Sequence, residues 1–265
     1  MTNKVEGGLR LSGQGKQRPK LTIITICFND LSGLRLTADS VKSNIFENLE
    51  YLVIDGGSTD GTVEFLNGLG FVDYWVSEKD RGIYDAMNKG ARLARGEGLI
   101  FLNAGDYIKG TIGFESIRPP CFLPVWYRDP LGRFRQIPLK SATKGMPNCH
   151  QGVVFENKGL QYNTDFCIAA DFDYFLQHGY DEGLPMADVA GYVVFDSSGV
   201  SSTRLSERDK EIGTIIRQRF GLWHGCVFSV SAFVKRGLKL LIKRGDEIVN
   251  EALEHGEPDR VIWHE

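Results

Sequence analysis

The sequence predicts an α/β fold in which helices cover both faces of a mostly parallel sheet, followed by a helical appendage at the C-terminus. Between residues 21 and 102, four apolar runs rich in β-branched residues alternate with segments of helical periodicity. This alternation is typical of parallel strands joined by crossover helices. Of the 265 residues, 42% are apolar and 25% are charged, a globular composition that excludes a disordered or collagen-like chain.

The predicted elements follow one another in chain order. The apolar runs predict strands over residues 21–28, 51–54, 72–76 and 99–102. Apolar residues at helical spacing predict the intervening helices, over residues 31–45, 60–69 and 83–94. Residues 110–150 contain six prolines and predict irregular structure with a short hairpin at 126–135. The remaining predictions are a strand at 153–155, a helix at about 170–178, a strand at 189–195 and helices from 206 onward.

The domain organisation follows from these elements. We expect a flexible tail over residues 1–20, an α/β domain over 21–205 and a helical segment over 206–265. The tail is polar and partly basic, so it does not resemble a signal peptide. No run of 18 apolar residues predicts a membrane span.

Charge, cysteines and missing motifs exclude several classes of protein. The net charge of −3 argues against a nucleic-acid partner. Five scattered cysteines without a Cys-x-x-Cys pair favour reduced thiols in the cytoplasm over a disulfide framework or a zinc site. Neither a Gly-x-Gly-x-x-Gly turn nor a Walker A loop follows the first strand, which disfavours a nicotinamide enzyme and a P-loop NTPase.

Polar residues follow all four predicted strands of the sheet. In an open parallel sheet, ligands bind beyond the carboxyl ends of the strands, so these residues predict one binding crevice. Asp55 ends an apolar strand there, where a carboxylate can accept hydrogen bonds from a base or a ribose, although its loop could also be a simple turn. The polar residues in chain order are Thr25, Asn29, Asp55, Asp80, Arg81, Asn103 and Asp106.

Several motifs resemble those of family 2 glycosyltransferases with the GT-A fold, a Rossmann-like sheet with helices on both faces. Four occur in order in the N-terminal half, at Ile24–Asn29, Asp55–Thr62, Ser77–Gly90 and Phe101–Asp106. Three more follow, and the most similar subgroup is the bacterial exopolysaccharide type that includes colanic-acid transferases. The later motifs are Cys149–Gly152, Ala169–Asp173 and Ser198–Ser201.

The resemblance implies a nucleotide-sugar donor, bound by residues 21–109, and an acceptor half over residues 110–205. It implies that Asp55 contacts the base, which leaves UDP-sugars and GDP-sugars both open. Lys89 could equally be a solvated helix residue, and Asp85 could simply pair with Arg81. The residues implied to bind the nucleotide-sugar are Thr25, Asn29, Asp55, Asp80, Arg81, Asn88, Lys89 and Asn103.

The family also implies Mg²⁺ or Mn²⁺ bound by an Asp-x-Asp loop between the donor phosphates. In Asn103–Asp106 only Asp106 supplies a carboxylate, so one carboxylate, the phosphates and water would hold the ion. Asp171 matches the acidic acceptor motif and is expected to be the general base, with Asp173 as runner-up. His150 matches a His-Gln motif and is expected to contact phosphate or acceptor. The structural alternative for Asp171 is a helix cap.

The C-terminal segment combines basic and aromatic residues. Residues 208–244 carry nine basic and two acidic side chains, which flank Trp223, Phe228 and Phe233. This pattern predicts docking of residues 206–245 to an anionic membrane surface, with packing on the core or a homodimer interface as alternatives. Membrane docking would place the protein on the inner face of the cell membrane.

The sequence therefore predicts an inverting, metal-assisted glycosyltransferase of surface polysaccharide assembly. Its acceptor would be a glycan or a polyprenyl-linked sugar, and one sugar would be moved per encounter because the Gln-x-x-Arg-Trp motif of processive synthases is missing. A catalytically silent nucleotide-sugar-binding or scaffold subunit is the alternative. A nucleotidyltransferase is disfavoured because no Gly-rich basic loop follows the first strand.

Overall fold

The computed structural model describes residues 4–128, 132–196 and 204–234. The chain divides into two compact units, residues 1–212 and residues 213–265. The helices of the described chain are α1 (Leu31–Lys42), α2 (Thr62–Asn67), α3 (Ile83–Leu93), α4 (Ala170–Gln177) and α5 (Leu205–Phe220). The strands are β1 (Val5–Gly7), β2 (Leu21–Cys27), β3 (Leu49–Asp55), β4 (Tyr74–Ser77), β5 (Gly98–Phe101), β6 (Tyr107–Lys109), β7 (Cys121–Phe122), β8 (Val125–Arg128), β9 (Phe134–Gln136), β10 (Val153–Glu156) and β11 (Tyr192–Asp196).

The larger sheet has the order β1-β4-β3-β2-β5-β10-β7 among the described residues. The four strands β4, β3, β2 and β5 are mutually parallel, whereas β1 and β10 run antiparallel to their neighbours. The predicted parallel sheet is therefore confirmed. Because β2 and β3 are buried along their whole length, their sequences are mostly apolar and do not alternate between apolar and polar residues, although β3 contains the buried carboxylates of Glu50 and Asp55.

Helices cover both faces of this sheet, as predicted. Ile23 and Val53 share a hydrophobic cluster with Leu34 of α1. On the other face, a Cβ atom added to Gly90 of α3 would lie 2.5 Å from Ile24. Since successive side chains of a strand point to opposite faces, α1 and α3 pack on opposite sides of β2.

The expectation of a flexible tail over residues 1–20 is wrong for its described part. Strand β1 pairs with β4 and covers an edge whose backbone groups would otherwise lack partners. The Arg10 guanidinium contacts the buried Glu50 carboxylate, and Lys16 Nζ lies 3.0 Å from Asp73 Oδ2. The basic residues of the tail therefore neutralise acidic residues that lie inside the domain.

A smaller sheet with the order β6-β11-β8-β9 forms within the described segment after β5. The predicted hairpin at 126–135 is confirmed by the antiparallel pair β8–β9, although residues 129–131 lie outside the described chain. The predicted strand at 153–155 and helix at 170–178 correspond to β10 and α4.

The C-terminal segment is helical, as predicted, over α5 and residues 222–234. The predicted domain boundary at 205 differs from the observed one, because the first compact unit continues to Ile212 inside α5. No helix in the described ranges is long and apolar enough to cross a membrane. The motif Ser198–Ser201 and the part of the basic segment beyond Val234 lie outside the described residues.

Candidate active site

The predicted crevice lies at the edge of the sheet where β2, β3, β4 and β5 end. These strands are parallel neighbours, so their carboxyl ends meet at one edge. Strand β10 is antiparallel to β5, with Phe155 opposite Leu99, and its amino end therefore reaches the same edge. The 3-10 turn His150–Gly152, which immediately precedes β10, is brought beside the loop that follows β5.

Asp55 organises the loop that follows β3. Its Oδ2 atom accepts hydrogen bonds from the backbone N–H of Gly57 (3.2 Å) and Ser58 (2.9 Å) and from the hydroxyl of Ser77 (2.6 Å). The Ser58 hydroxyl donates to the other carboxylate oxygen. Asp55 has no exposed surface, so it shapes the crevice wall, and contact with a base would require it to leave these partners.

The residues at the end of the first predicted strand are oriented differently than expected. Thr25 is fully buried, and its hydroxyl lies 3.2 Å from the Tyr51 hydroxyl in the core, which corrects its expected orientation toward the crevice. Asn29 adopts a φ of 48° and joins two loops. Its N–H donates to the Ser58 hydroxyl (2.7 Å), and its Oδ1 accepts from the Thr59 N–H (2.9 Å).

An exposed aromatic ring stands beside the Asp55 loop. Phe28 is 64% exposed although it directly follows a buried strand. A Cβ atom at Gly56 would lie 3.1 Å from Phe28 and 3.2 Å from the Asp80 carboxylate, so both approach the same glycine. The sequence did not predict a role for Phe28. Its only signal is that an aromatic residue stands immediately after the first strand.

The acidic and basic residues after β4 form ion pairs. Lys89 Nζ contacts the Asp80 carboxylate and lies 2.9 Å from Glu78 Oε1, so Lys89 is not a freely solvated helix residue. Burial raises the pKa of Asp80, and the Lys89 ammonium opposes that shift. Arg81 is exposed and pairs with Asp85 at 3.0 Å, the structural alternative foreseen for these two residues.

Two further predicted site residues lie in the interior. Asn88 exchanges two hydrogen bonds with the backbone of Tyr162, at 3.0 and 2.7 Å, which corrects its expected contact with the donor. His150 is buried among aromatic rings, and its Nε2 lies 2.8 Å from the Tyr162 hydroxyl. Burial lowers the pKa of His150 to about 3, so a neutral core imidazole replaces the expected phosphate or acceptor contact.

Asp106 is held by a residue that sequence reasoning left without a role. Gln151 Nε2 donates to Asp106 Oδ2 at 2.9 Å, and the Cys149 thiol donates to Gln151 Oε1 at 2.7 Å. This chain of contacts fixes which end of the Gln151 amide faces the carboxylate. Within the same loop, Asn103 Oδ1 is buried and has no hydrogen-bond partner among the described residues.

Asp171 lies half-buried in the first turn of α4. Burial raises the pKa of its carboxyl from 3.8 to about 6. The Phe172 N–H, which donates to Asp171 Oδ1 at 2.8 Å, opposes this shift. The Tyr84 hydroxyl and the Arg208 guanidinium act in the same lowering direction. The neighbouring Asp173 instead accepts a hydrogen bond from Gln177 at 2.7 Å along the helix surface.

The Cys149 thiol connects the two acidic centres. Burial raises its pKa well above the ordinary value, and both the Asp106 and the Asp171 carboxylates raise it further. Both carboxylates therefore lie within electrostatic reach of one side chain. The hydrogen bonds bring Asp106, Gln151 and Cys149 together at the edge where the parallel strands end.

Comparison with known proteins identifies the family. The sequence model of Glycosyl transferase family 2 matches residues 22–111. An uncharacterized glycosyltransferase of Mycobacterium tuberculosis is 32% identical over 216 residues, covering 70% of this chain and 78% of that protein. The chain belongs to glycosyltransferase family 2. A PGL/p-HBAD biosynthesis glycosyltransferase of Mycobacterium bovis is 37% identical over 177 residues, covering 59% of this chain and 68% of the relative.

Solved structures confirm the GT-A fold of this family 2 enzyme. TarS of Staphylococcus aureus, in complex with UDP, matches with a TM-score of 0.56 and 15% identity, over 76% of this chain and 66% of TarS residues 1–349. The mannosyltransferase PcManGT of Pyrobaculum calidifontis, in complex with GDP-Man and Mn²⁺, matches with a TM-score of 0.55 and 16% identity, over 88% of this chain and 81% of that chain. The colanic-acid subgroup stays a prediction.

The loop after β5 fits a divalent cation through its oxygen atoms. Mg²⁺ and Mn²⁺ prefer carboxylate and carbonyl oxygens. Asp106 provides a carboxylate, and the buried Asn103 Oδ1 is an acceptor without a protein donor in the described chain. No group of three His, Cys, Asp or Glu side chains suited to a metal occurs among the described residues.

Proposed function

We propose that this family 2 glycosyltransferase moves one sugar from a UDP- or GDP-sugar to a hydroxyl group of a glycan or lipid-linked acceptor, with inversion at the anomeric carbon. The observation that carries the proposal is the half-buried Asp171 carboxylate in the first turn of α4, whose pKa burial raises to about 6. A general base works best when its pKa lies near the working pH.

The reaction requires one proton acceptor and one site for the leaving diphosphate. Asp171 takes the proton of the acceptor hydroxyl while the oxygen forms its bond to the anomeric carbon. The bond between that carbon and the phosphate oxygen breaks, and its electron pair leaves with the nucleoside diphosphate. Attack from the side opposite the leaving group inverts the configuration. General base catalysis of this kind contributes about 10²–10⁴ in rate.

The donor would occupy the crevice between the loops after β2, β3 and β4. The exposed ring of Phe28 offers a stacking surface for a base, and the absence of a side chain at Gly56 lets Phe28 and Asp80 approach the backbone of the Asp55 loop closely. Asp80 and Asn29 line or shape this region, and Asp55 holds the loop. Bound UDP in TarS and bound GDP-Man in PcManGT support a nucleotide-sugar donor.

Asp106 and Asn103 would hold a divalent cation together with the donor phosphates. Such an ion offsets the negative charge that develops on the leaving diphosphate. Gln151 donates to Asp106 Oδ2 and so orients the carboxylate toward its remaining partners. The Mn²⁺ bound in the PcManGT complex supports this assignment.

Release of nucleoside diphosphate tests the catalytic assignment. UDP-glucose, UDP-galactose, UDP-GlcNAc and GDP-mannose would be incubated with the full chain and Mn²⁺. We expect Asp171→Asn to lower release by about 10²–10⁴. Asp173→Asn is the matched control, because the Asp173 carboxylate accepts a hydrogen bond from Gln177 along the helix surface, and this variant should retain activity. Equal release by the wild type and Asp171→Asn would overturn the proposal.

The acceptor and the C-terminal segment form the second part of the proposal. The helical residues 222–234 expose a cluster of large apolar side chains, and five basic and no acidic residues follow between 235 and 244. This combination suits docking to an anionic membrane surface that carries a lipid-linked acceptor. The PGL/p-HBAD biosynthesis relative is consistent with such an acceptor. The exposed apolar residues are Leu222, Trp223, Val227, Val230, Phe233 and Val234.

Flotation with vesicles tests this docking. The full chain would be mixed with vesicles of phosphatidylcholine alone or with phosphatidylserine added. We expect flotation with the anionic vesicles, and loss of flotation when Trp223 and Phe233 are both changed to Glu. Equal flotation with both vesicle types would contradict docking to an anionic membrane. A concentration-dependent dimer that the same double change abolishes would instead favour the homodimer interface.

A further inference from the structure

Three consecutive backbone N–H groups directly before α4 converge on one carboxylate. The N–H groups of Cys167 and Ile168 lie 2.9 Å from the Glu211 carboxylate oxygens, and that of Ala169 lies at 2.8 Å. Glu211 belongs to α5, more than forty residues further along the chain. Hydrogen bonds between N–H groups and an ionised carboxylate are roughly twice as strong as neutral ones.

This loop is held from a second side by α3. The Tyr84 hydroxyl donates to the carbonyl of Ile168 at 2.7 Å, in a buried position. The loop therefore has its N–H groups fixed by α5 and one carbonyl fixed by α3. Asp171 follows Ala169 by two residues, so its carboxylate is carried by backbone that begins at this loop, which α3 and α5 hold from two sides.

Helix α5 also acts on Asp171 itself. Arg208 lies three residues before Glu211, and residues at this spacing share one face of a helix. The Arg208 guanidinium lowers the pKa of Asp171. One face of α5 thus supplies both a backbone anchor and a compensating positive charge to the same short segment.

We propose that Glu211 is a positioning residue for Asp171: by binding the N–H groups of residues 167–169, it sets where the carboxylate stands relative to the acceptor hydroxyl. The inference rests on the proposed role of Asp171 as the base. In the described chain, the hydrogen bonds of the Glu211 carboxylate go to the N–H groups of residues 167–169 and not to the loops after β2, β3 or β4. Its removal should therefore impair the chemical step and spare donor binding.

The test compares Glu211→Ala, Glu211→Gln and Glu207→Ala in the full chain. Glu207 lies one turn earlier on α5, is exposed and pairs with Arg204, so its variant is the matched control. Release of nucleoside diphosphate at saturating donor measures kcat, and thermal shift with UDP and GDP measures nucleotide binding. We expect kcat to fall about 10²-fold in Glu211→Ala, the effect of displacing a catalytic group by about 1 Å.

Glu211→Gln keeps an oxygen that can accept two of the three N–H groups, and we expect it to recover most of the lost kcat. Glu207→Ala should match the wild type, and all three variants should bind nucleotide like the wild type. A Glu211→Ala variant with wild-type kcat, or with kcat and nucleotide affinity reduced together, would overturn the inference. If Asp171→Asn also retains full activity, the proposed role of Asp171 as the base is wrong, and the proposed function is contradicted rather than the role of Glu211 alone. An inactive Asp171→Asn beside a fully active Glu211→Ala rejects the positioning role alone.

Discussion

At the scale of the residue, the Asp171 carboxylate destabilises the fold that contains it. Its pKa in the folded chain is about 6, against 3.8 ordinarily, so the folded state favours the protonated form. Between about pH 4 and pH 6 the folded state binds more protons than the unfolded state, and stability contributed by this group is lost as pH rises. Above that window the charged form costs up to about 3 kcal/mol.

We therefore predict that Asp171→Asn is inactive and at the same time more stable than the wild type at pH 7. Its melting temperature should exceed the wild-type value above pH 6, and the difference should vanish below pH 4. Thermal melts across this pH range measure the effect, and Asp173→Asn provides the reference. A difference independent of pH would show that the gain arises from packing or hydrogen bonding instead of charge.

Gln151 carries the second prediction at this scale. Its amide links the Cys149 thiol to Asp106, and removing it leaves a buried donor and a carboxylate with one partner fewer. Groups that orient a metal ligand typically affect affinity by about 10–100-fold. We expect Gln151→Ala to raise the Mn²⁺ concentration for half-maximal nucleoside diphosphate release by at least about tenfold on this basis.

Electron paramagnetic resonance of Mn²⁺ in the presence of UDP or GDP measures the same affinity without turnover. Gln161→Ala is the control, because Gln161 pairs with the exposed Arg92 and contacts no carboxylate. Unchanged Mn²⁺ binding in Gln151→Ala would remove Gln151 from the proposed cation site.

The sequence motifs identify candidate residues, but they do not predict how several of these side chains are oriented. Asp106 and Asp171 stand in motifs whose chemistry is visible from residue type alone. Thr25, Asn88 and His150 stand in other motifs of the same resemblance, yet their side chains turn into the core. The direction of a side chain depends on strand pleat, helix rotation and distant partners such as Tyr162, and a single sequence does not reveal these.

At the scale of the element, the segment that contains β1 is held by the ion pair between Arg10 and Glu50, which the sequence pattern does not reveal. Glu50 is fully buried in β3 and accepts hydrogen bonds from the Thr22 hydroxyl (2.7 Å) and the Arg95 N–H (2.8 Å), besides its contact with Arg10. Short polar tails with few apolar residues are usually assigned to loops. The carboxylate of Glu50, which pairs with Arg10 of this tail, lies forty residues away in a strand whose other residues are mostly apolar.

We predict that Arg10→Met destabilises the chain by about 3–5 kcal/mol, because it leaves a buried carboxylate without its countercharge. Chemical denaturation at pH 7 measures the effect. Arg18→Met is the matched control, since Arg18 is an exposed basic residue of the same segment. Equal stability of both variants would show that water or another group replaces the guanidinium beside Glu50.

Strands and helices between residues 21 and 102 were predictable because each apolar period matches its element. The strand–helix alternation also predicted that these strands are parallel, and hence that their carboxyl ends share one edge; it did not predict their order in the sheet. The segment after β5 was predicted less well, since its short strands pair with distant partners and carry few residues each. Its hairpin was foreseen only from the spacing of prolines and aromatic residues.

At the scale of the whole molecule, the first compact unit ends inside α5 and not before it. A chain ending at Ser206 would lack Glu211, whereas a chain ending at Gly221 would retain it. We predict that the chain ending at Gly221 keeps nucleoside diphosphate release and loses flotation with anionic vesicles. The chain ending at Ser206 should lose both activities.

Release assays and flotation on the two shortened chains check this prediction. Full activity of the chain ending at Ser206 would place the functional boundary where the sequence pattern first suggested it. Retained flotation of the chain ending at Gly221 would assign the lipid contact to another surface.

The loop directly before α4, which hydrogen bonds from α3 and α5 hold in place, carries one side chain that is open to solvent. Cys167 donates its backbone N–H to Glu211, yet its thiol is exposed, whereas Cys27, Cys121 and Cys149 are enclosed to different degrees. After Cys226, the other exposed thiol, is replaced by Ser, a maleimide fluorophore or nitroxide could be attached at Cys167. Such a probe would sit four residues from Asp171 and, if Asp171 is the proposed base, would report acceptor arrival in real time through changes in emission or spectral line shape.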